Sequence, residues 1–67
     1  MIINKKVWEL LETENTKAGN RIIGLLNKDR TYIYEQEDAI FLEGYVPNYG
    51  YDFLKRFLER EFHKRVL

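Results

Sequence analysis

The single histidine, His63, follows Glu59 by four residues, so on a helix both side chains project from one face and could share a metal ion or a proton. Two ligands do not make a metal cage, and there is neither a second imidazole nor a cysteine to complete one. The plainer reading is an exposed pair whose cationic member favours the negative end of a helix. Glu35, Glu37, Asp38 and Glu43 form a second group, and paired carboxylates do general acid–base work where a pocket raises one pKa. These four fall in and around what reads as a hairpin turn, which offers no pocket, so they read as a solvated acidic tip.

The commonest nucleophiles are missing, because the chain contains neither Ser nor Cys. Gly19, Gly24, Gly44 and Gly50 stand singly, in no spacing that turns several backbone amides toward a phosphate. Taken together, these features point to a protein that is not an enzyme, with no catalytic residue, metal, cofactor or small-molecule substrate. What remains is binding.

Two binding surfaces suggest themselves. Arg56, Arg60, His63 and Lys64 share about one third of a helical wheel, a stripe that could track a phosphate backbone by releasing counterions. The rival role for these cations is to complement the helix dipole and pair with Asp52 and Glu59. The second surface is aromatic. Aromatic residues make up 15% of the chain, a heavy load for a small core, and Tyr suits interfaces because its ring buries much area with few rotors to freeze. The last helical segment carries an apolar arc of about 220°, about twice the width that one core-facing stripe needs. If Leu58 and Phe62 face the core, then Tyr45, Tyr49, Tyr51, Phe53 and Phe57 are left for a partner.

The elements that must position these residues follow from periodicity. Asn4 is a good N-cap, with Ile3 and Trp8 placed as a hydrophobic staple, and Val7, Leu10 and Leu11 make a one-sided stripe, so a helix starts at Asn4. It should fade in the polar stretch 14–20. Residues 21–27 are a short apolar run that fits a strand or a short helix. The β-branched Ile22-Ile23 pair and the polar residues 27–30 tip the reading toward a strand and a turn. Residues 31–35 and 39–46 alternate and are rich in strand formers, so they should pair as a hairpin ended by Pro47, with Asn48-Tyr49-Gly50 as a turn. Alternation also places Ile40 and Phe41 on opposite faces of the sheet, and two small helices cannot cover both. Residues 51–67 have helical spacing throughout, with Leu54, Phe57, Leu58 and Phe62 to one side.

The expected fold is therefore α+β: an N-terminal helix, a three-stranded antiparallel sheet and a C-terminal helix packed on the sheet. A helix at 21–27 would instead give a small helical domain with one β-hairpin. At 67 residues, the chain 1–67 reads as a single small domain, and without cysteine its stability must come from packing or from oligomerisation. Eleven basic residues balance eleven acidic ones, which argues against the strong field of a dedicated duplex-DNA binder. Residues 18–50 nonetheless carry two more acids than bases, and residues 51–67 the reverse. No segment has the length or apolarity of a signal or a membrane span, so the sequence reads as a cytoplasmic protein with no membrane partner. The function expected is a small non-enzymatic interaction protein, regulatory or inhibitory, of the kind found among bacterial and phage accessory factors. It would bind a protein partner or its own copy through aromatic residues. The alternative is a small nucleic-acid-binding domain that uses the basic stripe.

Overall fold

The computed structural model describes residues 1–26 and 29–67. The elements run α1 (Asn4–Glu14), α2 (Lys17–Leu25), β1 (Thr31–Glu35), β2 (Ala39–Gly44), α3 (Asn48–Phe62) and β3 (Arg65–Val66). The class is α+β, as expected, with a C-terminal helix against a three-stranded sheet. The second helix and the sheet pairing differ from expectation.

Residues 17–25 form a helix rather than a strand, and Leu26 ends it in an extended conformation. The physical reason lies in the polar stretch before them. Asn15 ends α1 in the left-handed conformation (φ 50°), and Thr16 opens α2 by accepting the Gly19 N–H on Oγ1 at 2.9 Å. Once the helix starts at Thr16, Gly19, Ile22 and Leu26 recur at helical spacing and are all buried, with Gly19 against Leu11. The β-branched pair is a weaker influence than this cap and this stripe. The expected strand extended to Asn27, which with Lys28 lies outside the described residues; Asp29 and Arg30 form a turn, as expected.

β1 and β2 make the expected antiparallel hairpin, in the register Thr31↔Gly44 to Glu35↔Ile40, around a Gln36-Glu37-Asp38 loop. The third strand is not at 21–27 but at the C-terminal end, and it pairs parallel to β2, with Ala39↔Arg65 and Ile40↔Val66. The helix expected over 51–67 starts earlier, directly after Pro47, and stops at Phe62. His63 takes the left-handed conformation (φ 55°) and turns the chain back onto the sheet. The β2–α3–β3 path is thus a crossover unit, and such units join parallel strands. On the other edge, Ile2 bridges Tyr34 in antiparallel fashion, with Ile3 N–H donating to the Ile33 carbonyl (2.9 Å) and Glu35 N–H to the Met1 carbonyl (2.8 Å).

Asn4 is the first residue of α1 rather than its cap, and its side chain bonds to β1 instead of to its own helix. The core gathers Ile3, Val7, Trp8 and Leu11 from the first helix, Ile22 and Leu26 from the second, and Leu54, Phe57 and Leu58 from the third. These pack over Ile33, Ile40 and Val66 of the sheet. All three helices therefore lie on one side of the sheet.

Candidate functional site

A pleated strand points successive side chains to opposite faces. In β1 and β2 the face carrying Ile33, Ile40 and half-buried Leu42 meets the helices. The other face carries Tyr32, Tyr34, Ala39, Phe41 and Glu43, with Arg65 beside Ala39. Among the described residues no helix packs on this second face, although Ala39 within it is itself buried.

Its arrangement follows from the register. Tyr34 pairs with Phe41 across the hairpin, and Ile2 bridges Tyr34 on the outer edge. Leu67 donates its N–H to the Ile40 carbonyl at 2.9 Å, so it continues β3 alongside Phe41. Ile2, Tyr34, Phe41 and Leu67 thus form one row across the sheet. Tyr34 and Phe41 are half-buried by their neighbours, while Ile2 is 53% and Leu67 51% exposed, high values for large apolar side chains. Tyr32 stands next to Tyr34 with ring centroids 6.5 Å apart, and its hydroxyl donates to the Asp29 carbonyl. Glu43 flanks the row on one side and Arg65 on the other. An exposed row of this kind offers aromatic and aliphatic area fixed on a rigid sheet, which suits macromolecular contact.

The aromatic surface expected at residues 45–57 divides. Tyr45 and Tyr49 are exposed, with the Arg21 guanidinium 5.8 Å from the Tyr49 ring centroid. Tyr51 and Phe53 are half-buried, and the Phe53 ring stacks on Phe57 at 6.1 Å. Phe57 itself is a core residue, because α3 turns the Leu54–Phe57–Leu58 side toward the other elements. These five side chains do not form one surface: Tyr45 shares a groove with Leu25 and Arg30, whereas Tyr49 lies beside Lys17, Ala18 and Arg21.

The basic stripe divides too. Arg60 donates to Glu14 at 2.9 Å and to Glu61 at 3.3 Å. The Glu14 hydrogen bond, then its charge, raises the Arg60 guanidinium above its ordinary value. Lys64 lies beyond the end of the helix and donates to the Glu35 carboxylate at 3.0 Å and the Gln36 carbonyl at 2.9 Å. His63 is the exposed αL residue that ends α3, and Arg56 is exposed beside Phe53 and Glu14. Two of the four cations are thus already matched to carboxylates. The Glu59 carboxylate accepts the Val66 N–H at 3.1 Å and so helps hold β3 rather than facing His63 for a metal. Arg65 sits in β3, outside the helix.

No three His, Cys, Asp or Glu side chains gather as a metal site, and no helix is long and apolar enough to cross a membrane, among the described residues. The hairpin aromatics Tyr32, Tyr34 and Phe41 stand out in the sequence as contact candidates, whereas Ile2 and Leu67 do not. The signal present was parity: the aromatics of the hairpin occupy one alternation phase and its aliphatics the other. Comparison with protein-family models, curated proteins and solved structures finds no match for this chain.

Proposed function

We propose that this protein is a small non-enzymatic interaction module, regulatory or inhibitory in role, that binds a polypeptide through the open face of its sheet. The observation that carries this reading is the row Ile2–Tyr34–Phe41–Leu67, lying on the sheet face opposite all three helices. Large exposed apolar patches are uncommon on small monomers and mark contact surfaces.

A polypeptide fits better than nucleic acid. Aromatic sheet faces can stack bases, but that use needs a positive field along the backbone path. Here Arg65 is the cation among the outward-facing strand positions, Glu43 opposes it, and the whole chain is formally neutral. Arg60 and Lys64, which would have to supply the field, are engaged by Glu14 and Glu35.

A photo-crosslinking amino acid in place of Phe41 tests the reading in cells, with the same probe in place of Asp52 on the exposed side of α3 as the reference. Protein adducts from position 41, and few from position 52, are the expected result. Adducts to nucleic acid, or equal yields from both positions, would overturn it.

A further inference from the structure

Building on the reading that the open face binds polypeptide, we propose that its occupant is a second copy of the same chain. The two sheets would pack face to face about a two-fold axis that runs in the interface along the Ile2–Tyr34–Phe41–Leu67 row.

The argument is self-complementarity. A symmetric dimer needs a patch that matches itself under a two-fold rotation. Along the strands, Glu43 lies two residues to one side of Phe41, and Arg65 lies two residues to the opposite side of Leu67. Rotation about the row exchanges its two sides. Glu43 of one copy then comes over Arg65 of the other, displaced sideways by one strand spacing of about 4.8 Å across a gap of about 10 Å, within reach of two long side chains. The contact occurs twice by symmetry. On the same rotation, bulky Tyr32 of one copy comes opposite the strand level of small Ala39 of the other. An axis along the strands brings neither charge to an opposite one, so the charges choose the orientation.

Formal neutrality means that no long-range repulsion opposes two copies meeting. The contact is small. Four strands about 4.8 Å apart and four residue steps of about 3.4 Å give a footprint of about 260 Å² on each copy, roughly 500 Å² for the two together, below the size of a standard interface. The dimer is therefore expected to be weak, with a dissociation constant of about 0.1–1 mM, and concentration-dependent. It also adds stability to a chain of 67 residues that has no disulfide.

Sedimentation of the purified protein from about 10 μM to about 1 mM brackets a weak dimer. The expected result is a shift from one to two chain masses, with a melting temperature that rises with concentration. Glu43→Arg and Arg65→Glu each place like charges opposite one another and are expected to weaken association at least about tenfold, while the double reversal restores it. Both positions are exposed, and circular dichroism of each variant at low concentration checks that it folds. A monomer at every concentration overturns the second copy as occupant. So does a dimer that ignores both single reversals, or single defects that the double variant does not repair. A strict monomer that still forms protein adducts from position 41 loses only the second copy, whereas one that also gives none loses the open-face reading as well.

Discussion

The side-chain amide of Asn4 stands in for a neighbouring strand beside Ile33: its Oδ1 accepts the Ile33 N–H at 2.7 Å. The same amide donates from Nδ2 to the Thr31 carbonyl, so one side chain serves two groups on the edge of β1. Ile33 is fully buried and its own carbonyl takes the Ile3 N–H, so a lost acceptor leaves a backbone donor stranded. Asn4→Leu is expected to destabilise the fold by about 2–4 kcal/mol, since two partly buried hydrogen bonds go and the freed groups stay desolvated. Asn4→Asp keeps the acceptor but sets a carboxylate against the Thr31 carbonyl and should fall between the two. Urea unfolding followed by circular dichroism measures both, and an Asn4→Leu loss under about 0.5 kcal/mol would remove this role.

At Gly44 the backbone leaves no room for a side chain. It has φ of +82°, and a Cβ there would lie 1.8 Å from the Arg30 carbonyl oxygen. That oxygen cannot swing aside freely, because it accepts the Tyr45 N–H at 2.9 Å, while Thr31 Oγ1 donates to the Tyr45 carbonyl at 2.6 Å. The end of the hairpin is therefore held from both sides. Gly44→Ala is expected to cost about 2–4 kcal/mol through left-handed strain and the clash together, read as a fall in urea midpoint.

The hairpin was legible because 31–35 and 39–46 are rich in strand formers, although the second strand stops at Gly44, and its odd–even phases separate Tyr32, Tyr34 and Phe41 from Ile33, Ile40 and Leu42. The open face is half-written in that pattern. Its other half, Ile2 and Leu67, joins by pairing across the whole length of the chain, which no local period records. The C-terminal end misleads for a definite reason. Leu58, Phe62 and Val66 continue an i, i+4 series, so the period carries on although the helix stops at Phe62. What ends it is a left-handed His63 and the place waiting for Val66 beside Ile40. For α2, the Thr16 cap was present in the sequence but was hidden inside a stretch that reads as loop, and the Ile22-Ile23 pair drew attention to a strand.

Lys64 fastens that C-terminal return. Its amine bridges the Glu35 carboxylate at 3.0 Å and the Gln36 carbonyl at 2.9 Å, and the two charged side chains are only 25% and 22% exposed. β3 has two residues and few other ties. Lys64→Met keeps the aliphatic stem and removes the charge, so it should cost about 0.5–1.5 kcal/mol of global stability. The sharper readout is local: amide exchange at Val66 and Leu67 should quicken more than at Ile33, because β3 can release without the hairpin opening. Equal acceleration at all three amides would mean that Lys64 does not act through β3.

Phe57 and the two exposed tyrosines allow a direct test of which aromatic residues hold the fold and which are free to bind. Phe57 is 4% exposed within the core, packed with Leu54 and Leu58, and its ring also takes the Phe53 stack and lies 5.4 Å from the Arg60 guanidinium. Truncating it leaves a cavity at the centre of α3, so Phe57→Ala is expected to cost about 3–5 kcal/mol, a large share of the stability of any domain this small. Tyr45 and Tyr49 are 56% and 52% exposed, and Tyr49 adds only a surface contact to Arg21. Their alanine variants should stay within about 1 kcal/mol of the parent. In the sequence all three count as aromatic contact candidates, and what separates Phe57 from the two tyrosines is the direction in which α3 meets the other elements. Thermal melts of the three variants decide the matter: a stable Phe57→Ala protein would place α3 with its other side inward and return Phe57 to the surface available for binding.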